Sequence, residues 1–169
     1  MIRTILKYPD PELEKPCRPV ERFDDDLKRL AEDMLETMYA APGIGLAAPQ
    51  VGEKIRLIVV DPTAGAEKGH QVVLVNPEIC EETGSQREEE GCLSIPGITA
   101  VVERPWRVSV RGRDLEGNPV EVDGEQLLAR VLCHEIDHLD GILYFSRLSP
   151  LKRELLKRKI RKLIRAGEW

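Results

Sequence analysis

Residues 132–144 read Leu132-Cys133-His134-Glu135-Ile136-Asp137-His138-Leu139-Asp140-Gly141-Ile142-Leu143-Tyr144. Inside them His134 to His138 form an H-E-x-x-H pattern, and two histidines four apart on a helix can grip one metal ion. The helical wheel sharpens that reading. At about 100° per residue from Leu127, Val131 falls at about 40°, Leu128 at about 100° and Leu132 at about 140°. His134 falls at about 340°, His138 at about 20° and Glu135 at about 80° by the same rule. Glu135 therefore projects from an apolar stripe with the histidines flanking it. Placing a carboxylate and two imidazoles among leucines is costly unless they are paired or hold a metal. The bland alternative is a pair of satisfied core histidines with Glu135 hydrogen-bonded between strands.

Working outward, this central helix is predicted over Gly124 to His138, with Gly141 placed as its C-cap glycine. An earlier helix is signalled by Asp24-Asp25-Asp26 ahead of Leu27, Leu30, Ala31, Met34, Leu35 and Met38, ending before Pro42-Gly43. A glycine-rich loop, GIGLAAPQVGE, follows at residues 43–53. Residues 55–61, 71–79, 97–103, 106–114 and 119–123 are rich in β-branched residues and read as strands. Ser149-Pro150 opens a last helix, with Ser as cap and Pro at the first helical position. The absence of regular strand–helix alternation predicts an α+β fold, with mostly antiparallel strands around a central metal-binding helix and a C-terminal helix. The 169 residues suit one domain, 1–169, of which 149–169 form a basic C-terminal helix.

With 41% hydrophobic and 33% charged residues, the composition is that of a globular protein. There is no apolar run of bilayer-spanning length and no secretory leader pattern, so the expected location is the cytoplasm. Cys17, Cys80, Cys92 and Cys133 contain no C-x-x-C pair, which argues against a disulfide framework and leaves a metal or catalytic role open for one of them. Net charge is −5, yet residues 149–169 carry eight basic and two acidic side chains. That end stands at +6 against −11 for the rest, which suits an anionic partner, or simply a solvated helix face.

Two histidines need a third ligand. The pattern H-E-x-x-H-x-x-G-x-x-H fails here, because Gly141 is in place but its last position is Tyr144. A downstream glutamate is the other familiar solution. Glu154 lies opposite the apolar face of its helix, and Glu168 is next to the last residue. His70 sits in the polar stretch GAEKGHQ, and Cys133 falls on the wheel away from the histidines. Cys92, in REEEGCLSIPG between two strands, remains. A His₂Cys set leaves one position open, the arrangement of a catalytic site, whereas structural zinc sites are closed by four protein ligands.

Three stretches, GIGLAAPQ (43–50), EGCLS (90–94) and HEIDHLDG (134–141), together resemble the signature motifs of the peptide deformylases, in the family's order. LSPLKR (148–153) is similar to the bacterial form with a helical C-terminus. The resemblance implies a metal-dependent amidohydrolase that removes the formyl group from N-formylmethionyl peptides. It implies Cys92, His134 and His138 as metal ligands and Glu135 as the acid–base group. The side-chain amide of Gln50 and the backbone N–H of Leu93 would be oxyanion donors. Ferrous iron is the implied metal, with zinc, nickel or cobalt able to replace it. Ile44, Leu127 and Val131 would receive the methionine side chain, while Gly43 and Gly45 would let the loop backbone pair with an extended peptide. Glu90 would be either a substrate-pocket carboxylate or a structural one. The basic C-terminal helix would face ribosomal RNA, with no membrane involved.

Overall fold

The computed structural model describes residues 1–169. Helix α1 spans Asp25–Ala40, and Asp24 accepts a hydrogen bond from the Leu27 N–H at 3.0 Å, capping it as its sequence predicts. Its buried side is Leu27, Leu30, Ala31, Met34 and Met38. Helix α2, Leu127–Leu139, is the central one. Every residue from Ala129 to Leu139 is buried, and its N-cap makes no side-chain hydrogen bond, so packing rather than capping holds it. It ends in a Schellman motif. Gly141 takes φ +74° and its N–H donates to His138 O, while the Ile142 N–H donates to Asp137 O. Helix α3, Pro150–Arg165, is capped by Ser149.

Seven strands complete the fold: β1 (Gly45–Ala47), β2 (Leu57–Val60), β3 (Val72–Thr83), β4 (Gln86–Cys92), β5 (Ile95–Arg104), β6 (Arg107–Arg113) and β7 (Pro119–Glu125). They form a five-stranded sheet in the order β1-β2-β3-β6-β7 and a two-stranded sheet, β4-β5, with all pairings antiparallel. The architecture is α+β. Strand β2 is buried on both faces, which is why its sequence is a continuous apolar run. Ile58 and Val60 pack with Leu132, Ile136 and Leu139 of α2. Leu57 and Val59 pack with Leu30, Met34 and Met38 of α1. A third cluster seats Leu156 and Ile160 of α3 on Ile95, Ile98 and Val102 of β5, with Tyr144 and Phe145 between. Each such burial is worth about 1.5–3 kcal/mol, which ties α3 to the domain. No helix is long and apolar enough to cross a membrane.

Three local expectations are corrected. The central helix begins at Leu127, not Gly124, because Gly124 and Glu125 pair with Val108 and Arg107 in the sheet. Gly124 marks a close approach instead: a β-carbon there would lie 2.9 Å from Leu128 Cγ and 3.1 Å from Leu132 Cδ1. The glycine-rich loop contributes a short strand, β1, at the edge of the large sheet. Cys92 does not lie between strands but ends β4, beside a register shift at Gly91 and Cys92.

Candidate metal centre and its cleft

Two elements bring three donors together. One turn of α2 carries His134 and His138 on one face, and the end of β4 delivers Cys92 from 42 residues upstream of His134. The Cys92 Sγ lies 3.3 Å from His138 Nε2, and the two Nε2 atoms are 3.2 Å apart. All three donor atoms fall within 4.8 Å of one another. Metal–nitrogen bonds of about 2.0–2.1 Å and a metal–sulfur bond of about 2.3 Å require donor separations of this size, so the set fits a single divalent ion. Cys133 is buried, facing the core, and its thiol is pushed up to about 12 by burial. His70 is exposed and pairs with Glu67, and Glu154 is exposed.

The candidate ligands are held from behind. His134 Nδ1 donates to Glu90 Oε2 at 2.6 Å, which fixes the imidazole tautomer and turns Nε2 toward the cysteine. Glu90 borders the cleft, but its carboxylate is fully engaged. Oε1 accepts from Arg104 Nε at 3.0 Å and Arg130 Nη1 at 2.8 Å, and Oε2 also accepts from Arg104 Nη2 at 2.6 Å. That leaves no free acceptor for a substrate. Desolvation alone would raise the Glu90 carboxyl, yet His134 and Arg104 hold it well below the usual range. Burial, reinforced by His134, pulls His138 well below the usual histidine range. Burial would lower His134 too, but Glu135, Cys92 and Glu90 more than offset it and hold it above the usual histidine range.

Glu135 is buried beside this set, its Oε2 3.9 Å from His134 Nε2 and its Oε1 without any partner. Burial pushes its carboxyl up to about 7. Gln50, in the helical turn Ala48–Val51, is also buried. Its Oε1 accepts from the Ala47 N–H at 2.9 Å, which turns Nε2 to Ser94 Oγ at 3.1 Å and Cys92 Sγ at 3.7 Å. Leu93, Ile44, Gly45, Leu127 and Val131 line a cleft of about 600 Å³ that opens beside Glu135 and His134. All of the site residues named from the sequence therefore border one cleft, apart from His138, which lies just beneath it.

Sequence reasoning missed the side chains behind the ligands: Arg104, Arg130, Asp137, Arg147 and Ser94. Arg130 offered a signal. On the helical wheel it falls at about 300°, close to His134, so a lone cation on that side of an apolar helix called for an acidic partner from elsewhere.

A His₂Cys donor set that could hold a metal, beside a buried carboxylate whose Oε1 has no partner and set in an α+β fold, is the arrangement of a metal-dependent hydrolase. The sequence pattern of the polypeptide deformylases matches residues 2–154. A peptide deformylase of Acidobacterium capsulatum is 53% identical over 169 residues, covering 100% of this chain and 99% of that protein. One of Thermodesulfovibrio yellowstonii is 50% identical over 160 residues, covering 95% and 97%. The crystal structure of a peptide deformylase from Legionella pneumophila superposes with a TM-score of 0.91 at 48% identity, covering 99% of this chain and 98% of that one. The chain belongs to the polypeptide deformylase family, and its reaction is removal of the N-terminal formyl group from nascent polypeptides.

Proposed function

We propose that Cys92, His134 and His138 hold one divalent ion, ferrous iron in the cell, and that Glu135, Gln50 and Leu93 carry out the hydrolysis around it. Bound there, such an ion supplies Lewis-acid stabilisation of the formyl oxygen and acidifies water. Glu135 accepts the proton of the attacking water at its unpartnered Oε1 and returns it to the amine as the C–N bond breaks. Gln50 is a neutral donor, so it does not compete for that proton. Its Nε2, held by the bond that Oε1 accepts from Ala47, and the N–H of Leu93 stabilise the oxyanion. Ile44, Leu127 and Val131 receive the methionine side chain, and the backbone at Gly43 and Gly45 pairs with the extended peptide. Glu90 orients His134 and does not contact substrate.

The convergence of three donor atoms beside a buried carboxylate with one unpartnered oxygen carries this reading. The substrates are met in the cytoplasm as chains leave the ribosome, and the exposed basic side of α3 faces ribosomal RNA there. Formate release from formyl-Met and acetyl-Met tripeptides, with metal content measured on the same samples, tests the catalytic part. Wild type turns over the formyl peptide only, and Glu135→Ala keeps its metal and loses turnover. Loss of metal in Glu135→Ala, or full activity in it, overturns the assignment.

A further inference from the structure

We propose that Arg147, at the foot of α3, is a positioning residue for His134, acting through an unbroken chain of ion pairs that runs inward from the surface. Arg147 donates from Nη2 to Asp137 Oδ1 at 2.7 Å and from Nε to Asp137 Oδ2 at 3.1 Å. Arg104 Nη1 donates to the same Asp137 Oδ2 at 2.7 Å. Arg104 then forks onto Glu90, and Glu90 takes the Nδ1 proton of His134. The side chains of Arg104, Glu90 and Asp137 are 4%, 5% and 10% exposed, while that of Arg147 is 46% exposed. The chain thus runs from the surface to a metal ligand.

Arg147 is the sole partner of Asp137 Oδ1. Without it, a buried carboxylate is under-compensated and draws Arg104 toward itself and away from Glu90. Both contacts of Arg104 are planar forks or end-on bonds, so a small shift at one end is felt at the other. The foot of α3 holds Arg147 in place. Arg153 of α3 donates to the carbonyls of Ser146 and Leu148 on either side of it, and Tyr144, in the same helical turn, donates its hydroxyl proton to Ile98 O. Seating of α3 is thereby linked to the geometry of the metal centre, a link that neither the H-E-x-x-H pattern nor the cleft reveals.

The inference rests on the proposed ligand set, and the experiment separates the two. Zinc affinity is measured by competition with a chromophoric chelator for wild type, His138→Ala, Arg147→Lys, Arg147→Gln and Arg104→Lys. The kcat and KM for a formyl-Met peptide are then read at saturating zinc, with thermal unfolding alongside. Residues behind metal ligands typically govern affinity by about 10–100-fold. Arg147→Gln is expected to weaken zinc binding about 10-fold and to lower kcat more than KM, with Arg147→Lys recovering part of the loss. The Arg104→Lys, Arg147→Gln double variant should lose less than the two single effects combined, because both act on one chain. Arg147 is half exposed, so its variants carry the test if Arg104→Lys does not fold. Arg147 variants that unfold at lower temperature but keep zinc affinity and kcat overturn the inference. Undiminished zinc affinity in His138→Ala overturns the ligand set itself.

Discussion

Gly45 lies directly against Glu135: a β-carbon on Gly45 would stand 2.5 Å from Glu135 Oε2 and 2.8 Å from Val131 Cγ1. Glu135 is boxed in, 4% exposed on a buried helix, so it has no room to yield without turning away from the ligands. Gly45→Ala should therefore displace Glu135, the proposed acid–base group, while leaving Cys92, His134 and His138 in place. A displacement of about 1 Å in a reacting group costs on the order of 100-fold in rate. The expected outcome is a kcat reduced by about that factor with metal content unchanged. Retained turnover in Gly45→Ala would show that Glu135 is not held where the chemistry needs it.

The pH behaviour of Glu135 has two faces. Burial pushes its carboxyl from 4.5 up to about 7, with Glu90 adding to the effect and His134 opposing it. As the proposed base it must be ionised, so kcat/KM should fall toward acid pH as Glu135 takes up its proton. In metal-free protein the native state keeps this proton between pH 4.5 and about 7, where the unfolded chain has released it. Native protein then binds more protons than unfolded, and the Glu135 contribution to stability declines as pH rises across that window. The loss amounts to about 3 kcal/mol by pH 8, at 1.36 kcal/mol per unit. Glu135→Gln should remove it, so the stability difference between variant and wild type grows from pH 4.5 to 7 and then levels off. Denaturant titrations of both metal-stripped proteins check this, and a flat difference curve contradicts it.

Much of this arrangement was legible in the residues because it follows helical or strand periodicity. Asp24 and Ser149 announce their helices by capping chemistry, and β2 announces itself as a run of four apolar residues. The strand that carries the proposed third ligand was not legible. Strand β4 reads Gln86-Arg87-Glu88-Glu89-Glu90-Gly91-Cys92, and its buried positions are Gln86 and Glu90, not apolar residues. Alternation of hydrophobicity cannot reveal a strand whose inward side chains are an amide and an ion-paired carboxylate. The start of α2 was misread because Gly124 served a close approach in the sheet rather than a helix boundary. The ion-pair chain behind His134 joins residues 90, 104, 137 and 147, and such long-range partners leave no local trace.

The four cysteines should separate cleanly by alkylation. Cys80 is exposed, Cys17 and Cys133 are buried, and Cys92 is partly buried within the donor set. Burial raises the Cys17 thiol and pushes Cys133 up to about 12, so neither presents a reactive thiolate at pH 8. Native metal-loaded protein treated with iodoacetamide should take one adduct, on Cys80. Metal-stripped protein should take a second, on Cys92. Cys92→Ala should lose the metal, and Cys133→Ala should retain it. Intact-mass and peptide-mass measurements read the outcome, and a metal-protected Cys133 would place the third ligand elsewhere.

The basic side of α3 can be tested without unfolding it. Leu156 and Ile160 are buried, so truncation after Pro150 would expose the cluster they cover and confound any binding result. Lys157 is also unsuitable, since its ammonium sits 5.7 Å from the centre of the Phe145 ring. Arg158, Arg161 and Lys162 are exposed and form no salt bridge. Reversing all three to glutamate should change stability by less than about 0.5 kcal/mol per site, as for other surface substitutions. Turnover of a formyl-Met tripeptide should be unchanged, because no α3 residue lines the cleft. Ribosome affinity should fall, and the plot of log affinity against log salt should become shallower by about one for each phosphate contact removed. Sedimentation with purified ribosomes at several salt concentrations measures both. An affinity and a salt slope equal to those of wild type would reduce the charge of α3 to a solvated helix face.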